Sequence, residues 1–343
     1  MQSCWRSSEK GNHAPPRYMQ VFPRRSLPMQ SISPITTRIV LRTAPSFHFW
    51  RTAYSHGWCD LLPFSHDPER KELSRVLDLL DGSVLFATMS GSTRAVNIRI
   101  ISHRPLQREQ VRLVATQLQA CLRLDEDFSA FHHAARKHPQ YRWMARAGAG
   151  RLLRAPTVFE DVVKMICTTN CTWALTRLMV TNLVQCFGKP FDQHHHAFPT
   201  PETIASSSEH FLRKEIKAGY RSPFLLELAE HGASGKLDLE AWRASSLSTP
   251  ELFRCMTAVK GIGPYVAGNI MKLIGRYDSL GLDSWVRAQY ARFHRNGRRV
   301  SDATIEKHYA PLGQWRGLFC WLEMTRHWHE EKFRLAESLP QRD

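Results

Sequence analysis

Two glycines flanking one aliphatic residue, in Val259-Lys260-Gly261-Ile262-Gly263-Pro264, are the most chemically suggestive feature of the chain. A helix from Pro250 leads into them and a second, Tyr265 to about Ile274, leads away, so the glycines form a tight hairpin between two helices. Glycine allows the unusual dihedrals and close backbone approach that such a hairpin needs. Its free N–H groups and the N-terminus of the second helix then point at one spot, which is an arrangement that binds a phosphate. Ile262 packs back between the helices as a plug. Taken alone, Gly-Ile-Gly is also what an ordinary helix–helix turn contains. The remaining reactive side chains say less. Eight cysteines, at 4, 59, 121, 167, 171, 186, 255 and 320, include no CxxC pair, and a chain of this size favours reduced thiols over a disulfide scaffold. Cys167 and Cys171 share a helix face and read as core residues. Cys320 stands alone near the C-terminus, so no iron–sulfur cluster is expected. His194-His195-His196 lies in a polar loop, where adjacent residues rarely converge on one ion. No metal site is expected.

The elements that must carry the hairpin are mostly helical. The predicted fold class is α+β, with a small N-terminal antiparallel sheet domain at 45–125 and a mainly helical domain at 126–343. Strands are predicted at Ser46–Arg51, Val84–Met89 and Val96–Ile101, the last two joined by a loop from Ser90 to Ala95. A helix carrying Val111, Val114, Leu118 and Leu122 closes this unit. Phe159 to Phe187 reads as one long amphipathic stretch. Thr200 and Pro201 signal a helix start, and Thr249-Pro250-Glu251 repeats the signal. Residues 1–44 read as a basic leader, with Arg6, Lys10, Arg17, Arg24, Arg25, Arg38 and Arg42 against Glu9 alone. Its Arg-rich, Ser-rich, acid-poor composition is that of an organellar transit peptide; a disordered basic tail, or a true start at Met19 or Met29, remain open alternatives.

The chain has 343 residues, 47 Lys plus Arg against 31 Asp plus Glu, and a formal net charge of +16. That excess favours a polyanionic partner, nucleic acid before an anionic membrane surface. No stretch reaches the ~20 apolar residues of a membrane span. At 43% hydrophobic residues the chain can bury a core, which argues against full disorder.

Hairpin, helix and the following loop, Gly275-Arg276-Tyr277-Asp278-Ser279-Leu280-Gly281, resemble the helix-hairpin-helix element of the DNA glycosylase superfamily. There a Gly/Pro-rich loop leads to a catalytic Asp, and Asp283 falls at that position. The resemblance is closest to 8-oxoguanine (Ogg-type) and 3-methyladenine glycosylases and covers most of the helical region. Phe159 to Gly188, including Ile166-Cys167-Thr168-Thr169-Asn170, looks like the helix before the base pocket, and Ala218-Gly219-Tyr220-Arg221 like the next turn. The sheet unit fits only loosely.

The resemblance implies excision of a damaged base from double-stranded DNA by a monomer. It implies no required cofactor, and a monovalent cation at the hairpin is compatible with it. Gly261, Ile262 and Gly263 would grip the strand, and Asn170 would fill the gap left by the extruded nucleotide, with Tyr220 and Arg221 near the opposite strand. Tyr265, Asn269 and Trp321 would line the base pocket; each also has an ordinary packing role open to it. Trp173 and Trp285 read as core residues. Asp283 would stabilise the cationic sugar and orient or deprotonate water; it could instead only cap a helix starting at Ser284. Two departures stand out. Strand-nicking relatives carry a Lys where this chain has Tyr265, and tyrosine forms no imine, so the resemblance is to the monofunctional branch, with Lys260 a poorly placed substitute amine. Leu175 also stands where the Ogg-type pattern has an Arg, which leaves reading of the opposite base open. A non-catalytic damage-binding module and a bifunctional enzyme using another amine are the alternatives. The substrate is open between alkylated purines, which suit an aromatic pocket, and oxidised guanine. The expected location is nucleus or nucleoid, or mitochondrion or plastid if the leader directs import.

Overall fold

The computed structural model describes residues 34–92 and 94–333, the last three as backbone only. An antiparallel sheet comes first: β1 (Ile35–Arg42), β2 (Phe64–Asp67), β3 (Glu72–Asp78), β4 (Val84–Ser92) and β5 (Ala95–Ser102), in the order β1-β5-β4-β3-β2. Alternation makes it one-sided. Val96, Ile98 and Ile100 of β5 point inward, and Asn97 and Arg99 between them point out, as expected of a sheet with one solvated face. The register pairs Met89 with Ile98 and Leu41 with Val96.

Helices fill the rest. The first group is α1 (Phe49–Ala53), α2 (Arg108–Cys121), α3 (Ser129–Lys137), α4 (Arg142–Arg146), α5 (Val158–Cys167) and α6 (Trp173–Phe187). Next come α7 (Pro201–Ala205), α8 (Glu209–Lys214) and α9 (Ser222–Ala233). The last group is α10 (Thr249–Thr257), α11 (Pro264–Leu273), α12 (Ser284–Arg295), α13 (Asp302–Tyr309), α14 (Arg316–Met324) and α15 (Arg326–Phe333). No described helix is long and apolar enough to cross a membrane.

The α+β class holds, with several local differences. β1 lies inside the span read as leader at 1–44; its outward Arg38 and Arg42 belong to a sheet edge, where charge blunts further pairing. Residues 1–33, the rest of that leader, lie outside the described residues. The strand expected at Ser46–Arg51 is instead the short helix α1, because the His48 side chain accepts a hydrogen bond from the Arg51 amide and starts a turn. The β4–β5 connection is tighter than the predicted loop, since Ser92 already pairs with Ala95. Ser248, one residue before the expected start signal, caps α10 through a reciprocal bond with Glu251. The long stretch from Phe159 breaks at 168–172, where Asn170 takes φ +45 between α5 and α6.

The main hydrophobic core draws on residues from Leu41 to Met324, and a smaller cluster gathers Val76, Phe191 and Ala197. Buried charge ties the layers together. Arg75 of β3 and Lys164 of α5 both hold Glu160, at 2.9 and 2.7 Å. Arg123, fully buried, donates to the carbonyls of Lys272 and Leu273 at the end of α11 and pairs with Glu126 at 2.7 Å. A guanidinium there satisfies the carbonyls a helix leaves unpaired at its C-terminus.

Candidate active site

The hairpin forms between α10 and α11. Gly261 has φ +83, and a Cβ there would come within 2.6 Å of the Phe224 side chain, so only glycine fits. Ile262 is buried, and its amide bonds to the Val259 carbonyl at 3.0 Å. Gly263 is exposed and caps α11 with extended backbone. Lys260 points to the surface and pairs with Glu227 at 2.9 Å. Phe224 also leads outward to Tyr220, at 6.4 Å between rings. The Tyr220 hydroxyl accepts from Asn170 Nδ2 at 3.2 Å, and Arg221 donates to Thr169 Oγ1 at 3.2 Å and to the Thr169 carbonyl. Arg221, expected near the opposite strand, is instead buried and braces the Thr169 turn, while Asn170, Tyr220 and the hairpin form one ridge. Its other end joins a cavity, since Thr168 Oγ1 lies 3.1 Å from the Tyr265 hydroxyl.

That cavity has a volume of about 560 Å³, within the usual range for small-molecule sites. Asp283, Tyr265, Asn269 and Trp321 all line it. Asp283 caps α12: its Oδ1 accepts from the Val286 amide at 2.6 Å. Asn269 donates to the Tyr265 carbonyl at 2.9 Å, which turns its Oδ1 away from the helix backbone. Trp321 donates to the Ser55 carbonyl at 3.1 Å. Burial raises the Tyr265 hydroxyl; the Thr168 hydrogen bond opposes this and the Asp283 charge adds to it.

Several wall residues were not read from the sequence as pocket. Trp173 and Trp285, read as core, both line the cavity, and Trp328 stands 5.3 Å from Trp285. The segment Tyr54–Asp60 supplies a whole wall. Gly57 sits under Trp173, where a Cβ would come within 2.3 Å of the indole. Trp58 is anchored by a 2.7 Å bond to Asp161 Oδ1. The dense run Tyr54-Ser55-His56-Gly57-Trp58 was a signal that could have marked this wall. Cys171 lines the cavity as well, whereas Cys167 is in the core.

Lys272 is another missed wall residue. It is buried, lines the cavity and donates to the Leu280 carbonyl at 3.0 Å. Burial pulls its amine down to about 8, against the opposing influence of Cys320 and Asp283. The unfolded value is ~10.4, so below about 8 the folded state alone bears the cost of a buried ammonium, and stability recovers as pH rises toward ~10. Lys272→Met is therefore expected to stabilise the protein at neutral pH. It should also remove a positive slope of about 1 kcal/mol per pH unit between about pH 8 and 10. Urea unfolding of both proteins across that window measures the difference; parallel curves would place the amine in water.

Two trios of metal-type ligands lie within 4.8 Å among the described residues, Cys59-Asp60-His66 and His294-His308-Glu323. Protein contacts already engage both. His66 lies 3.5 Å from Asp60, and Glu323 accepts from Tyr309 at 2.6 Å and Tyr141 at 3.1 Å.

No protein-family model and no curated protein matches the sequence. Solved structures do match the fold. A 3-methyladenine DNA glycosylase from Archaeoglobus fulgidus superposes with a TM-score of 0.68 at 18% identity, covering 85% of this chain and 99% of that one. The apo 8-oxoguanine glycosylase/lyase of Clostridium acetobutylicum gives 0.66 at 20% identity, over 86% and 98% of the two chains. The same enzyme in complex with double-stranded DNA containing cytosine opposite 8-oxoguanine gives 0.67 at 18%, over 88% and 99%. The chain thus has the fold of the helix-hairpin-helix DNA glycosylases.

Proposed function

We propose that this protein is a DNA glycosylase that hydrolyses the N-glycosidic bond of a damaged base in double-stranded DNA. The observation that carries the reading is one cavity holding Asp283 among aromatic walls, beside a glycine hairpin and the Asn170 ridge. An extruded base loses its stacking and needs flat partners; Trp321, Trp285 and Tyr265 offer them. The Gly261-Ile262-Gly263 hairpin would hold a phosphate of the damaged strand, Asn170 would enter the gap, and Tyr220 would face the duplex, with buried Arg221 bracing the Thr169 turn behind them. Only one Asp283 oxygen is engaged by the Val286 amide. The other is left to face C1′, stabilise the oxocarbenium-like sugar as the bond breaks, and take a proton from the attacking water. Bulk positive charge would grip phosphates without sequence preference.

Tyr265 occupies the helix position where an imine-forming amine would stand, which supports hydrolysis without strand cleavage. Lys272 favours a second reading, because a buried amine lowered to about 8 lies in the same cavity; an uncharged fraction could attack C1′. Incubating the protein with single-lesion duplexes separates these. Released base, a strand that breaks only after alkali, and no adduct trapped by borohydride are the results expected. A trapped adduct lost in Lys272→Met would establish the second reading. Tight binding of damaged duplex with no released base would leave a recognition module.

A further inference from the structure

His56 opens on the cavity that contains Asp283, and its ring is fixed by the backbone behind it. Its Nε2 lies 2.5 Å from the Leu153 carbonyl oxygen. A carbonyl can only accept, so Nε2 carries the proton. The neighbouring Ser55 Oγ accepts from the amide of the same Leu153 at 2.9 Å, and the Ser55 carbonyl accepts from Trp321. Leu153 is thus clamped at both its N–H and its C=O, and the Trp58 ring packs against the imidazole at 4.7 Å. This geometry commits Nδ1 to a bare lone pair; among the described residues it has no hydrogen-bond partner, and the residue lines the cavity. Burial pushes the imidazole down to about 4; the Leu153 bond opposes that, and the positive charges of Arg123, Lys164 and Lys272 add to it. The ring is neutral at any working pH, so the acceptor persists.

We infer that His56 Nδ1 is the specificity-determining acceptor of the pocket, and that the substrate is a base whose damage has turned a ring nitrogen from acceptor into N–H donor. This rests on the glycosylase reading above and decides what it left open. Oxidation of guanine at C8 changes N7 from a lone pair to N7–H. Deamination does the same to N1 of adenine, giving hypoxanthine, and to N3 of cytosine, giving uracil. Each lesion would present an N–H to a fixed lone pair, whereas the parent base at that nitrogen sets lone pair against lone pair. Alkylated purines fail differently: the ring nitrogen carries a methyl group and a positive charge, and nothing there can donate. A site built to bond a donor rejects analogues lacking it far more strongly than an apolar pocket rejects a methyl group, because its own acceptor is left unpaired.

Single-turnover base release tests this on matched duplexes containing 8-oxoguanine, hypoxanthine, uracil, 3-methyladenine or 7-methylguanine. At least one of the first three is expected to be released ~100-fold faster than either alkylated purine. Two variants separate the acceptor from its support. In His56→Gln the side-chain amide reaches the Nε2 position and keeps the Leu153 bond, but places nothing at Nδ1. In His56→Asn the amide oxygen stands at Nδ1, while the Leu153 bond is lost. Gln is therefore expected to collapse the preference to within ~10-fold and Asn to retain most of it, the reverse of their order if His56 only supports the wall. An alkylated purine as the best substrate, or an unchanged preference in His56→Gln, overturns the assignment while leaving the glycosylase reading intact. No release from any duplex overturns both.

Discussion

Asp283→Asn is expected to release base ~10³-fold more slowly than the wild-type protein, a loss of about 4 kcal/mol in transition-state stabilisation. Its melting temperature should hardly change. The two halves of this result separate roles that one carboxylate combines. As the cap of α12, Asp283 accepts from the Val286 amide at 2.6 Å. Asn and Ser cap helices about as well as Asp, so both substitutions keep the helix start. Neither carries the negative charge that a cationic sugar requires, and neither takes a proton from water. If the residue only caps, Asp283→Asn and Asp283→Ser will release base at rates within ~3-fold of wild type, and only Asp283→Ala will suffer, through a destabilisation of about 1 kcal/mol. The charge has a second, independent signature. Asp283 is one of the groups holding the Lys272 amine up against burial. Asp283→Asn should therefore move that amine further down, which a pH titration of the lysine's chemical labelling would detect. Measuring base release in a single turnover keeps product departure from masking the chemical step.

How far the sequence leads depends on whether the signal is local. The hairpin is legible because the positive φ of Gly261 and the start of α11 are written in six consecutive residues. The β4 and β5 strands are legible by alternation, and Tyr265 and Asn269 by helical spacing from the hairpin. Asp283 became readable only as part of the whole pattern; a lone Asp before Ser-Trp is an ordinary cap. What escapes is set by contacts across the chain. The wall at Tyr54–Asp60 reaches Trp321 through a bond spanning 266 residues. Lys272 would ordinarily be a solvent-facing residue of α11. It is enclosed because Gly268 and Gly281 let helix and loop meet, with a Cβ on Gly268 falling 2.5 Å from the Gly281 Cα. Each of these glycines looks unremarkable in sequence, and only their meeting creates the buried amine.

The same long-range logic predicts the largest structural effect. Glu160→Gln is expected to destabilise the protein by about 3–5 kcal/mol, a large share of the ~5–15 kcal/mol typical of a folded protein. Arg75, Glu160 and Lys164 are each no more than 2% exposed. Replacing the carboxylate by an amide leaves two cations in the interior without the anion that bonds both, and Arg75 Nη1 already lacks a partner. Burial alone would raise the Glu160 carboxyl, but Arg75 and Lys164 outweigh it and hold the group below its ordinary value. A depressed carboxyl contributes stability above its unfolded value of ~4.3 and loses it as pH falls through the folded one. The wild-type protein should thus shed stability on acidification below ~4.3 in a way that the variant does not. The effect should reach the pocket too. Lys164 also donates to the Leu61 carbonyl at 3.4 Å, Arg75 covers the Phe64 ring at 4.4 Å, and adjacent Asp161 holds Trp58. The helix α5 therefore anchors the Tyr54–Asp60 wall through two successive acids. Denaturant unfolding of Glu160→Gln, beside the triple variant Arg75→Met, Glu160→Leu, Lys164→Met, distinguishes charge from shape. The apolar triple variant should recover most of the loss, since a buried triad contributes little over well-packed carbon while a broken one is costly. A loss below ~1 kcal/mol in Glu160→Gln would mean that water reaches the cations, and the wall of the cavity would then owe its position to Trp58 and Asp161 alone.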